Sequence, residues 1–220
     1  MKEEYKPLFT PWKIGNLEIK NRIVMTSMGG TSLFGWMEPL GNYFDKEAAN
    51  FILERARNNV GLILPGIAPI RDILWGKWLY KGKGKFKELK EFMDEFHKTG
   101  AKLFIQLTAG FGRSLAINHL MIEAHHNKLL GTLLKPVLDV DYLTASASAT
   151  PNRWDDSVMS RPMTVEEIQE IIEGFAKTAK LCQEAGVDGI EIHAVHEGYL
   201  LDQFTMKYTN FRDDKYGGSF

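Results

Sequence analysis

The sequence predicts an α/β fold in which short parallel strands alternate with amphipathic helices. Three observations carry this: apolar runs that stop at Gly or Pro, segments of helical period between them, and a strand restarting soon after each helix ends. Asn21-Arg-Ile-Val-Met-Thr-Ser-Met28 is a β-branched run that stops at Gly29-Gly30, as a buried strand opening into a turn would. Between Asp45 and Asn58, Ala48, Phe51, Ile52, Arg55 and Ala56 recur with helical period, and Val60-Gly-Leu-Ile-Leu64 before Pro65-Gly66 reads as the second strand. Phe86, Leu89, Phe92, Met93 and Phe96 mark a helix ending at Gly100, and Lys102-Leu-Phe-Ile-Gln-Leu107 follows as the third strand. Thr164-Val-Glu-Glu167 is a capping box that opens a helix carrying Ile168, Ile171, Ile172, Phe175, Ala179 and Cys182. After Gly186 comes the fourth strand, Val187-Asp-Gly-Ile-Glu-Ile-His193.

Residues 110–161 are too long for a simple connection and read as an elaborated loop after strand 3. Four strand–helix units reach about Asp202, and another βαβ unit needs roughly 30 residues, so a β/α barrel would be present here only as its first half. In such a sheet, functional groups sit at the C-terminal ends of the strands.

The 220 residues carry 27 Lys+Arg against 28 Asp+Glu, a formal net charge of −1, which gives no electrostatic footprint for nucleic acid or an anionic membrane. Lys77–Lys87 interleaves lysines with aromatics, but the balanced charge makes it a solvated loop rather than a nucleic-acid patch. The single Cys182 can form no internal disulfide and no cysteine ligand set, which fits a reducing, cytoplasmic setting. The N-terminus lacks a signal-peptide core, and the longest apolar run, Val60 to Ile70, is broken by Gly and Pro and too short to span a bilayer. Small-molecule chemistry is the class that remains.

His193-Ala-Val-His196-Glu-Gly-Tyr199 places two imidazoles and a phenol at the end of strand 4. Two neutral imidazoles can donate N–H groups to one carbonyl oxygen, while a tyrosine stays protonated at neutral pH and can deliver a proton. Taken alone, the pair equally suits structural histidines bonded to backbone at the sheet's rim. A zinc site lacks a third ligand, since Glu197 stands at no metal spacing, and His119, His125 and His126 read as surface residues, so no metal is expected. On strand 3, Leu103, Ile105 and Leu107 alternate with Phe104, Gln106 and Thr108, so Gln106 projects a carboxamide that suits the edge of a planar heterocycle or a neighbouring strand's polar group. Met25-Thr-Ser-Met28-Gly29-Gly30 could lie against a ring system or be a plain turn, and Arg113 could meet an anion or hold its own loop. A lyase or aldolase is disfavoured, because no strand end offers a Schiff-base Lys or a cluster of carboxylates.

In this order, Leu8-Phe-Thr-Pro, Lys20-Asn-Arg-Ile-Val-Met25, Phe104-Ile-Gln-Leu107 with Gly112-Arg113, Gly189-Ile-Glu-Ile-His193, Gly198-Tyr-Leu-Leu-Asp-Gln-Phe204 and Tyr216-Gly-Gly-Ser219 resemble the Old Yellow Enzyme family of flavin-dependent ene-reductases. The match runs from about Leu8 to Phe220 and is nearest the long clostridial branch of 2-enoate reductases, dienoyl-CoA reductases and bile-acid-inducible steroid oxidoreductases. The resemblance implies a TIM barrel of which residues 1–220 are the N-terminal half, with FMN at its mouth, NAD(P)H as reductant, and a 4Fe-4S cluster and FAD elsewhere in the parent protein. It implies reduction or formation of the C=C bond of an enone or enoate, a steroid or acyl-CoA ester among them. By residue, it puts Thr26, Ser27 and Met28 against the flavin and Gln106 on its pyrimidine edge. His193, counted among the flavin contacts as well, and His196 meet the substrate carbonyl oxygen, and Tyr199 donates the proton. Glu197 stands where many shorter members pass directly to Gly-Tyr. A half-barrel exposes two parallel edges, which would invite a homo-oligomer; the alternative to catalysis is a fragment that needs a partner chain to bind flavin.

Overall fold

The computed structural model describes residues 2–35, 43–194, 196 and 198–218, so Glu197 and Ser219 lie outside the described residues. A two-stranded antiparallel hairpin, β1 (Trp12–Ile14) with β2 (Leu17–Ile19), precedes the parallel sheet. That sheet runs β3 (Val24–Met25), β4 (Leu62–Ile63), β6 (Lys102–Thr108) and β7 (Gly189–Ile192), each paired in parallel with the next. Helices α1 (Lys46–Arg57), α2 (Lys83–Phe96) and α6 (Val165–Glu184) connect the strands, giving the partial β/α barrel expected. Between β6 and α6 the chain forms three short helices, α3 (His119–His126), α4 (Lys128–Leu134) and α5 (Val140–Leu143).

The second strand does more than its sequence suggests. After Ile63 it leaves the sheet and returns as β5 (Ala68–Pro69), which pairs Ala68 with Leu107 and Pro69 with Thr108. Leu107 has Ala68 on one side and Ile192 on the other, so β4 and β5 are one interrupted strand on the side of β6 away from β7. Residues 64–67 lie opposite 104–106, one residue more than the register needs, which is the signature of a bulge. Gly66 makes the bulge possible: a Cβ there would sit 2.5 Å from the Met28 carbonyl oxygen, and its N–H donates to Thr31 Oγ1 at 2.9 Å. Pro65-Gly66, expected to end the strand, marks this detour instead.

Three further boundaries differ. Strand 1 is confined to Val24–Met25, because Asn21 turns its 2 % exposed side chain back on the chain, donating to the Asn59 carbonyl at 2.7 Å and accepting from Ile23 N at 3.0 Å. Lys83–Lys87, expected in a solvated loop, begins α2. Strand 4 starts at Gly189 because Asp188 is diverted, its carboxylate accepting from Leu103 N and from Lys102 Nζ.

The outer face of the sheet, Ile63, Leu103, Ile105 and Leu107, packs under Ile52 of α1, Leu89 and Met93 of α2 and Ile168 of α6. The inner face buries Leu62 and Leu64 against Ile19, Trp12 and Phe104, so the hairpin closes the N-terminal end of the sheet. Helix α6 has the expected capping box: Glu167 N donates to Thr164 Oγ1 at 3.2 Å, and Thr164 N donates to Glu167 Oε2 at 2.9 Å. Cys182 is fully buried there, and desolvation pushes its thiol up to about 12, leaving it protonated and inert. Among the described residues no helix is long and apolar enough to cross a membrane.

Leu103→Ala should therefore cost roughly 2–5 kcal/mol of stability in chemical denaturation, the usual range for a buried leucine. Leu133→Ala, at a side chain 70 % exposed, should stay within about 0.5 kcal/mol.

Candidate active site

Parallel pairing brings the C-terminal ends of all the strands to one edge, and His193 stands there directly after β7. Its backbone N–H donates to the Leu107 carbonyl at 2.9 Å, so the register of β6 sets its height. Its ring nitrogen Nδ1 lies 3.4 Å from Thr108 Oγ1, which also accepts from Gly110 N at 3.1 Å. The rings of His193, His196 and Tyr199 form a triangle with centroid separations of 5.2, 5.4 and 5.0 Å. Phe111 meets Tyr199 edge-on at 4.6 Å and backs the phenol.

The loop that carries these rings is fastened to the loop after β6. Gln203, fully buried on α7 (Leu200–Thr205), donates from Nε2 to the carbonyls of Phe111 at 2.9 Å and Gly198 at 2.7 Å. Ser114 Oγ donates to the same Gly198 carbonyl at 2.7 Å. Gly112 is required at this seam: its φ of +54° is left-handed, and a Cβ would meet Gln203 Oε1 at 2.4 Å. Arg113 donates from Nε to the Pro151 carbonyl at 2.7 Å, which holds its loop.

Burial is the first cause that lowers the pKa of His193, and the neighbouring His196 lowers it further, against weaker opposition from Asp202 and Glu191. The imidazole is neutral at neutral pH and so keeps one N–H to donate and one bare nitrogen. The Thr108 hydroxyl beside Nδ1 is placed to select which nitrogen carries the proton.

Gln106 lies on the inner face, level with Glu191, whose carboxylate accepts from its Nε2. A carboxylate demands a donor, so the amide's NH2 points at Glu191. Its Oε1 and second N–H make no bond among the described residues. Thr26, Ser27 and Met28 follow β3 at the same edge, with Thr26 exposed and Met28 46 % exposed. Thr31 fixes this turn, its Oγ1 donating to the Met28 carbonyl at 2.9 Å while accepting from Gly66 N.

The sequence-chosen residues therefore fall into three groups along one edge. His193, His196 and Tyr199 share direct ring contacts, Gln106 faces inward on β6 beside Glu191, and Thr26–Met28 form the far turn. Sequence reasoning passed over Thr108, Glu191 and Asp202. The alternation that selected Gln106 also places Thr108 and Glu191 inward, and Tyr199-Leu-Leu-Asp202 has capping-box spacing. His119, His125 and His126 stand apart from this edge, with His125 on Asp141 at 3.1 Å and His126 on Ser157 at 3.3 Å.

The pKa of His193 is lower folded than unfolded, so the unfolded chain binds more protons. The contribution of His193 to stability is whole above its ordinary value of 6.5 and falls as pH drops through that value. NMR titration should place the His193 midpoint below the ordinary value, with a partial upward return in His196→Asn; a midpoint at or above it would contradict the electrostatics.

Residues 7–220 match the NADH:flavin oxidoreductase / NADH oxidase family. The chain is 36 % identical to cinnamate reductase of Clostridium sporogenes over all of this chain and 30 % of that protein. It is 30 % identical to 12-oxophytodienoate reductase 1 of Oryza sativa subsp. japonica over 97 % of this chain and 51 % of the relative. An old yellow enzyme homologue from Zymomonas mobilis superposes with a TM-score of 0.64 at 22 % identity, covering 96 % of this chain and 55 % of that one. The chain thus spans about a third to a half of the proteins it matches. With the motifs spread from strand 1 to the tail and the match running almost end to end, the chain belongs to the NADH:flavin oxidoreductase / NADH oxidase family.

Proposed function

We propose that this chain forms the substrate-activating half of an FMN-dependent oxidoreductase that takes electrons from NAD(P)H and reduces the activated C=C bond of an enone or enoate. The observation that carries the reading is the triangle of His193, His196 and Tyr199 at the C-terminal end of β7. Family membership and the name of the cinnamate-reducing relative support the enoate as the substrate class.

The described residues fit a flavin. Gln106 keeps an acceptor and a donor unspent, complementary to the edge of a pyrimidine ring, and the Met28-Gly29-Gly30 turn has space, since a Cβ at either glycine would meet nothing within 4 Å. Thr26, Ser27, Met28 and Gln106 would hold the ring system, with His193 beside it. When bound, the flavin supplies a hydride to the β-carbon of the substrate.

The chain's own residues do the rest. As negative charge develops on the substrate carbonyl oxygen, N–H donors from His193 and His196 stabilise it more than they stabilise the neutral ground state. The low proton affinity of His193 keeps it a neutral donor, so it lends a hydrogen bond without giving up its proton. Tyr199 delivers the phenolic proton to the α-carbon, completing net addition of hydrogen across the double bond. Phe111 holds the phenol from behind.

Titration with FMN, followed by flavin fluorescence, separates the two readings: saturable binding sustains catalysis by this chain, and no binding by residues 1–220 favours the fragment that needs a partner chain to bind flavin. His193→Ala should slow reoxidation of the reduced flavin by an enone roughly 10²–10³-fold, the usual cost of losing an oxyanion donor. Reduction of the flavin by NAD(P)H should change little, and equal loss in both half-reactions would count against the carbonyl role. Tyr199→Phe should slow the enone step roughly 10²-fold or more.

A further inference from the structure

Asp202 lies on α7, out of ring contact with the triangle, yet one of its oxygens organises the loop that carries it. Oδ2 accepts from the backbone N–H of His196 at 2.9 Å, Gly198 at 2.8 Å and Tyr199 at 3.0 Å. The residue is 4 % exposed, and Oδ1 is buried with no hydrogen-bond partner among the described residues. A carboxylate so far removed from water is expensive unless strong donors converge on it, and three N–H groups do.

This is more than a helix cap. A capping acid at the third position of a helix accepts from the residue at the helix's start, here Tyr199. The bonds from His196 and Gly198 come from outside the helix, and the three donors flank position 197 on both sides. Two further hydrogen bonds to this loop end at Gly198, whose carbonyl accepts from Ser114 and Gln203, and Phe111 backs the Tyr199 ring. His193 is held separately, by its own bond to β6. The backbone directions of His196 and Tyr199, and hence the 5.0 Å separation of their rings, depend on Asp202 in a way that His193 does not.

We infer that Asp202 is the positioning residue of the site: its carboxylate clamps both sides of position 197 so that the second imidazole and the proton-donating phenol stand at the substrate oxygen and α-carbon together. This rests on the enone-reducing reading above. The carboxylate takes no part in bond making and exchanges no proton with substrate. Its effect falls on the step that uses His196 and Tyr199, leaving the reduction of flavin by nicotinamide alone.

Two measurements on the protein, Asp202→Ala and Asp202→Asn test it. In Asp202→Ala, amide hydrogen exchange at His196, Gly198 and Tyr199 should accelerate roughly tenfold or more while β6 amides are unchanged. The enone half-reaction should slow about 10²-fold, the scale of a small misplacement of reacting groups, with the nicotinamide half-reaction within about twofold. Asp202→Asn keeps an acceptor oxygen in place and should recover most of that loss, with exchange only a few-fold faster than in the unaltered protein. If Asp202→Ala does not fold, the Asn variant decides: faster exchange at the three amides with a slowed enone step alone sustains the clamp. Unchanged exchange, or equal slowing of both half-reactions, overturns it. A protein that takes up no flavin counts against catalysis by this chain alone, and the exchange comparison still decides whether Asp202 holds the loop.

Discussion

Hydrogen bonding along both sides of β6 is the constraint on which the remainder of the structure depends. At Leu107 the strand is paired with Ala68 on one side and Ile192 on the other, and its carbonyl accepts the N–H of His193. One strand thus sets the height of the bulged second strand, of the edge strand β7 and of the first catalytic candidate. Because strand side chains alternate, the same register sends Leu103, Ile105 and Leu107 into the packed outer layer and Phe104, Gln106 and Thr108 inward. A slip of one residue would exchange these faces, burying Gln106 under the helices and turning leucines toward the site.

The site divides into a part held by the sheet and a part held by side chains. His193, Gln106 and Glu191 take their positions from strand pairing, which is rigid and needs no special residues beyond the register. His196 and Tyr199 lie on a loop, and a loop has no ladder to hold it. Gln203, Ser114 and Asp202 supply the missing bonds, two through the Gly198 carbonyl and one through the amides around it. Gln203 Nε2 and Asp202 Oδ2, buried on α7, are thus matched with backbone atoms of the loops beside them.

Electrostatics follow from the same placement. Burial and a neighbouring imidazole keep His193 neutral, while the carboxylates of Asp202 and Glu191 lie close enough to temper that effect. Cys182 shows the other outcome of burial: desolvation alone raises its thiol, and it becomes packing material on α6. The difference is whether the buried group faces the strand ends or the helical layer.

The sequence by itself determined the order of strands and helices, the capping box at Thr164, and the cluster His193–Tyr199 at a strand's end, because periodicity and capping are encoded by neighbours within a few residues. It also exposed Gln106 as an amide on an apolar strand. Only the tertiary structure decided that strand 2 resumes as β5, since that detour depends on Gly66 meeting Met28, residues 38 positions apart. The β1–β2 hairpin gave no sign of its role until Ile19 and Trp12 met Leu62, Leu64 and Phe104. Arg113 reaches the Pro151 carbonyl, a contact with a residue 38 positions away that its sequence neighbours do not record. Asp202 was passed over in the sequence, and its three-way bond became visible only when the loop folded back onto α7. Such contacts join residues that are distant in the chain or oddly spaced within a turn, where no periodic pattern records them.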